Sequence, residues 1–189
     1  MSKKVLLFTI ILIWGCNHEY VPKPKGFNRL DLPEPTYQNL PDTLPYSFQY
    51  SLHAQLLKDT SSISSEYWVE VYYPKLLANI HITYIELNQN EEKLKELFND
   101  SYFLTSKHQV KAYSIDDIIM KTASGKTASV AELYGDVPSQ FQFVCTDSVN
   151  NFMRGALYFN TKVQNDSLAP AIEYVKKDII HLLNTLEWK

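Results

Sequence analysis

The residue with the clearest chemistry is Cys16. Lys3 and Lys4 precede an apolar run from Val5 to Trp14, broken only by Thr9, and the run ends in Gly15-Cys16. A basic start, a short apolar stretch and a small residue before a cysteine make a secretory signal with a lipoprotein cleavage box. The chemistry this implies is cleavage before Cys16 and acylation of its thiol and new amino group. A membrane-spanning helix needs about 20 apolar residues, roughly twice this run, and the chain turns polar at once with Asn17, His18 and Glu19. Trp14 is bulky where the box usually holds a small residue. One acyl chain binds a membrane marginally, whereas two or more anchor it at ~0.8 kcal/mol per buried methylene. No cofactor beyond this covalent lipid is expected.

Other reactive residue types are present but not clustered. Ser124-Gly125-Lys126-Thr127 resembles the end of a phosphate-binding loop, yet Met120 stands where that motif needs its first glycine. His18, His53, His81, His108 and His181 lack metal-ligand spacing, so no metal site is expected. No Gly-x-Ser-x-Gly elbow exists. Asp147-Ser148 reads as a turn. Cys145 alternates with Phe141 and Phe143 and reads as a buried thiol. Arg154 lies on a strand face opposite Met153, either paired with an acidic residue such as Asp147 or facing a partner. Lys23, Lys25 and Arg29, beside Phe27, form a basic cluster near the lipidated end. Each could gain ~1 kcal/mol from anionic headgroups, and a solvated linker is the equal alternative. His81, Lys107 and His108 complete the candidate partner- or membrane-binding residues.

Cleavage would leave residues 16–189, enough for one domain with a real core. The chain carries 18 basic and 21 acidic residues, and losing Lys3 and Lys4 takes the formal charge from −3 to −5. That balance argues against a nucleic-acid surface. With Cys16 lipidated, Cys145 has no intramolecular partner for a disulfide.

Three stretches organise the chain: the signal peptide, 1–15; a lipidated, proline-rich tether, 16–45; and a globular domain, 46–189. Six of the nine prolines lie in the tether, which favours extended backbone reaching about 90 Å at ~3.1 Å per residue. Tyr20, Phe27, Leu30 and Leu32 give it apolar anchors that could lie along the domain. Alternation predicts strands over 46–52, 68–73, 78–87, 128–134, 140–146 and 152–160. Asn90 caps a helix whose buried face holds Leu94, Leu97 and Phe98. A second helical stretch is expected within 112–120, with Ile115, Ile118 and Ile119 inward. The last helix starts at Asp166 or Ser167, with Pro170 in its first turn and a stripe from Leu168 to Leu186. The order β-β-β-α-β-β-β-α predicts an α+β sandwich, a largely antiparallel sheet of about six strands packed by two main helices.

Taken in order, several segments resemble the gliding-motility lipoprotein GldD family of the Bacteroidota. They are Tyr20 to Pro33, Tyr73-Pro74 with Ala78 to His81, Lys107-His108 with Lys111-Ala112, Gln140 to Ser148, Phe152 to Phe159, Asp166 to Pro170, and Thr185 to Trp188. The resemblance implies a membrane-anchored component of gliding and of the linked type 9 secretion system. It brings no catalytic residues to carry over. The element order is also similar to PsbP-like domains, an analogy of fold alone.

Three readings follow. The first is a non-enzymatic assembly or docking subunit that meets other envelope motility or secretion proteins through its sheet face and proline-rich segment. The second is a lipoprotein binding a small ligand or cell-wall fragment in a cleft lined by Trp68, Tyr72 and Tyr84. The third is an enzyme using His81, His108 and Asp147, which requires those three to converge. The lack of an acidic run after Cys16 favours a periplasm-facing anchor, in a membrane that the sequence does not name.

Overall fold

The computed structural model describes residues 30–61, 64–161 and 165–189. The signal peptide, Cys16, Lys23, Lys25, Phe27 and Arg29 lie outside the described residues.

Among the described residues eleven strands and two α-helices follow in chain order: β1 Tyr37–Asn39, β2 Tyr46–Ser47, β3 Gln49–Ser51, β4 Gln55–Lys58, β5 Val69–Tyr73, β6 Ala78–Glu86, α1 Glu91–Ser106, β7 Ala112–Lys121, β8 Thr127–Gly135, β9 Ser139–Thr146, β10 Asn151–Phe159, α2 Asn165–Thr185 and β11 Glu187–Trp188. A 3₁₀ turn, Lys107–Val110, joins α1 to β7. Seven strands form one sheet in the order β4-β5-β6-β10-β9-β8-β7, each neighbouring pair antiparallel. The fold is thus α+β on an antiparallel sheet, with seven strands in the main sheet where about six were expected.

One face of the sheet carries the core. Val71, Ile80, Ile82, Tyr84, Val130, Phe141, Phe143, Cys145, Met153 and Leu157 are buried there, against Val175, Ile179, Leu182, Leu183 and Leu186 of α2. Full burial stabilises each such side chain by roughly 1.5–3 kcal/mol. The strand alternation read from sequence therefore holds, and the β9 and β10 sets share this one face. Gly155 is required here: a Cβ on it would collide with the Phe143 ring on the neighbouring strand.

Three expectations need correction. Residues 112–120 form β7, not a helix. They pair with β8 from Ala112↔Gly135 to Lys121↔Thr127, and Ile118 and Ile119 face outward. Isoleucines at positions 115, 118 and 119 suit a helical stripe on spacing alone. Their branched Cβ suits a strand better, and β8 offers a ladder to join. The α1 face is not deeply buried either. Leu94 and Leu97 are half-buried, Phe98 is exposed, and only Ser101 is buried. Finally, α2 begins at Asn165, so Pro170 is its sixth residue, past the first turn, and one i→i−4 bond to Asp166 is lost.

Part of the segment assigned to the tether is built into the domain. β1 pairs with β3, Leu40 is buried, and Leu32 and Leu44 pack on the core. The Tyr37 hydroxyl donates to Asp178 Oδ1 and the Tyr73 hydroxyl to Oδ2, both at 3.0 Å. Asp178 is only 2% exposed. One buried carboxylate on α2 thus ties down both β1 and β5. Burial pushes that carboxyl up, against hydrogen bonds from Tyr37, Tyr73 and Ser51 that pull it down. Burial, then the neighbouring Asp178 charge, pushes the Tyr37 hydroxyl up to about 12.

Candidate functional site: the cleft under α1

The second sheet face is where α1 stands. Asn90 caps the helix, its Oδ1 accepting the Lys93 N–H at 2.9 Å, and Glu91 and Glu92 complement the dipole. Phe98 meets Phe152 edge-on, centroids 5.7 Å apart. Beyond that contact the helix face holds Asn99, Ser101, Thr105 and Ser106, which do not fill the space above the sheet. A cleft of about 600 Å³ remains. Phe98 and Tyr102 wall it on the helix side, Ile115, Asp117 and Ile119 on β7, with Gln142 and Arg154 also lining it.

Arg154 sits opposite Val144 of β9 and Thr83 of β6. Its Nη2 donates to Gln142 Oε1 at 2.8 Å, and Thr105 Oγ1 lies 3.1 Å from the same oxygen. Two donors therefore fix the Gln142 oxygen, leaving its amide nitrogen as a buried donor without a partner. Gln142 is 3% exposed. Among the described residues no carboxylate pairs with Arg154, so of the two alternatives the pairing with Asp147 is not formed. Burial lowers the arginine's hold on its proton, with only Tyr158 opposing. Burial, then the charge of Arg154, lowers that of His108.

Asp147 is occupied elsewhere. Its Oδ1 accepts the N–H groups of Val149, Asn150 and Asn151 at 2.8–2.9 Å, and its Oδ2 accepts from the Asn151 side chain. Burial raises its pKa, but these bonds outweigh that and hold the carboxyl below the usual range. They close the β9–β10 turn, where Ser148 adopts φ +64°.

His81 lies on the second face of β6, opposite Ala156 and Glu70. Its Nδ1 is 3.3 Å from Glu70 Oε1. Asp147 lies beyond Asn151, at least five residues along β10 from Ala156 and so about 17 Å away. His108 sits in the turn after α1. The structure does not bring these three side chains together. Lys107 lies over the Phe103 ring at 4.5 Å, on the outer side of α1.

Asp59, Glu70 and His81 are the group among the described residues whose donor atoms lie within 4.8 Å of one another and could hold a metal ion. Asp59 and Glu70 were not singled out from sequence, because strand pairing rather than local spacing brings them to His81. The Ser124 to Thr127 segment is the β7–β8 hairpin turn, with Gly125 at φ +79° and Lys126 paired to Glu187.

The cleft expected from Trp68, Tyr72 and Tyr84 does not form. Tyr84 is buried on the core face and donates to Asn151, Trp68 donates to the Tyr84 carbonyl, and Tyr72 lies on the opposite face of β5. The aromatic cleft is the one under α1. A hint was available in the weak apolar face of α1 and its run of Ser, Thr and Asn.

Exposed apolar side chains lie on the elements that form this cleft, and Tyr102 and Ile119 line it. Val110 is 90%, Tyr113 80%, Ile119 77% and Tyr102 69% exposed, joined by Phe103, Leu104 and Ile118. They occupy the end of α1, the 3₁₀ turn and β7, a ten-residue edge strand.

Fold and site together define an α+β domain with a lined cleft and an apolar rim on the less covered face of an antiparallel sheet. The chain belongs to the gliding motility lipoprotein GldD family, whose model matches residues 17–188. It is therefore a motility-associated lipoprotein of the cell-envelope membrane. No curated protein matches it. Among solved structures it is similar to the solution structure of cyanobacterial PsbP (CyanoP) from Synechocystis sp. PCC 6803. That likeness has 12% identity and a TM-score of 0.45, over 86% of this chain and 98% of that one.

Proposed function

We propose that this protein is a non-enzymatic docking subunit of the gliding and type 9 secretion machinery, held by lipid on Cys16 and facing the periplasm. The observation that carries the reading is the exposed apolar band of Tyr102, Phe103, Val110, Tyr113 and Ile119 at the end of α1, the 3₁₀ turn and β7. Large apolar side chains gathered on one part of a surface mark interaction sites. The band adjoins a long edge strand whose backbone groups are free to pair with another chain.

The test is crosslinking in the native envelope, wild type against Tyr113→Glu with Val110→Lys, neither of which lines the cleft. Both positions are exposed, so these changes should leave melting within about 0.5 kcal/mol. Crosslinks to motility or secretion proteins, lost in the variant together with gliding, support docking through this band. Unchanged crosslinks and gliding refute it. Anchoring is tested separately: Cys16→Ala should abolish acylation and membrane retention, and normal fractionation with the membrane would sink it.

A further inference from the structure

The cleft under α1 holds a half-buried charge with no counter-charge among the described residues and a buried donor with no partner. Arg154 carries a positive charge that no carboxylate meets among the described residues. Gln142, 3% exposed, holds a donor nitrogen with no acceptor. Buried donors without partners are rare in folded proteins, and a half-buried cation without a counter-charge favours an anion beside it. The two sit on adjacent strands β9 and β10, diagonal to each other in the register, and are already hydrogen-bonded. The free N–H groups of a guanidinium and a neighbouring amide suit the two oxygens of a carboxylate. The walls above them, Phe98, Tyr102 and Ile119, are apolar. The volume of about 600 Å³ falls within the range of small-ligand sites.

We propose that this cleft binds a carboxylate carried beside an aromatic or aliphatic group, with Arg154 and Gln142 as the recognising pair. A free small acid offers this chemistry, and so does an acidic residue or chain end of a partner protein. Asp117 at the β7 end repels a second negative charge, which favours a monoanion. The docking band shares Tyr102 and Ile119 with the cleft walls, but the recognising pair, Arg154 and Gln142, belongs to the cleft floor and not to the band.

The probe is N-acetylphenylalanine, titrated into the mature lipidated protein in the uncharged detergent dodecyl maltoside. Its neutral counterpart, N-acetylphenylalaninamide, is the control. The readout is the NMR resonances of the Gln142 amide and the Arg154 guanidinium. The acid should shift both and bind about tenfold or more tightly than the amide, as charge-assisted hydrogen bonds require. Arg154→Met should erase that preference. Gln142→Glu provides an internal carboxylate for Arg154; it should keep the fold and lose the acid. Equal binding of acid and amide, or shifts elsewhere only, overturns the proposal. So does undiminished acid binding in Gln142→Glu.

The source is read from protein taken from its own envelope. A co-purifying small acid, lost in Gln142→Glu, marks a free ligand. A partner acidic peptide, crosslinked beside the cleft and lost in the same variant, marks a protein carboxylate. Protein recovered bare, with envelope crosslinks indifferent to Gln142→Glu, counts against a natural carboxylate ligand.

Discussion

Replacing Asp178 by alanine removes the acceptor that both Tyr37 and Tyr73 use. Tyr73 is buried, so its hydroxyl is left without water or a partner, at a cost of about 1–3 kcal/mol. Tyr37 is half-buried and regains some water, so its lost bond costs about 0.5–1.5 kcal/mol. Relief from burying a carboxylate offsets part of this. The expected net loss is about 1–4 kcal/mol, or about 3–12 °C in melting temperature for a domain of this size. Asp178→Asn keeps the volume and one acceptor oxygen, so it should stay within about 1 kcal/mol of wild type at neutral pH. The two variants separate packing from charge.

The pH dependence has a definite sign. Burial, the largest influence, raises the Asp178 carboxyl above its ordinary 3.8. Between the unfolded and folded values the folded protein binds more protons, so stability falls as pH rises through that window and then levels off. The Asp178→Asn variant lacks this contribution. The stability of wild type relative to that variant should therefore decline with rising pH in the acid range. Thermal melts across pH 3–7 measure it, and hydrogen exchange at Tyr37–Asn39 reports whether β1 has come loose in the alanine variant. A neutral Asp178→Ala refutes the clasp. A wild-type advantage that grows with pH refutes the assigned burial.

Gly155→Ala should destabilise by about 1–3 kcal/mol, because the added methyl displaces the Phe143 ring on β9; chemical denaturation of the variant beside wild type measures this. Cys145, with no exposure and its thiol pushed up to about 11 by burial, should resist alkylation at pH 8 until the domain unfolds. Prompt labelling of the native protein would contradict the core assignment. Asp147 has the opposite pH sign to Asp178. Its lowered carboxyl contributes stability present above about pH 4 and lost as pH falls through its folded value, so Asp147→Asn should flatten the acid limb of the melting curve.

Local pattern was enough for the parts whose determinants are local. The cap at Asn90, the hairpin of β5 and β6, and the burial of Cys145 follow from alternation, capping chemistry and composition. The α2 stripe follows from helical period. What local pattern could not settle were choices made by distant partners. Residues 112–121 became an edge strand because β8 supplied a ladder. Tyr37 joined the domain because Asp178, 141 residues away, accepts its hydroxyl. The mixed polar face of α1 was a hint of a weak apolar stripe, but only its packing shows that it stands off the sheet. That standing-off opens the cleft over Arg154 and Gln142, two residues that only register β9↔β10 brings together. Sequence by itself determined which side chains seek burial, and with them most elements. Only the tertiary structure decided which polar groups remain unsatisfied, because satisfaction belongs to pairs of residues and not to either one alone.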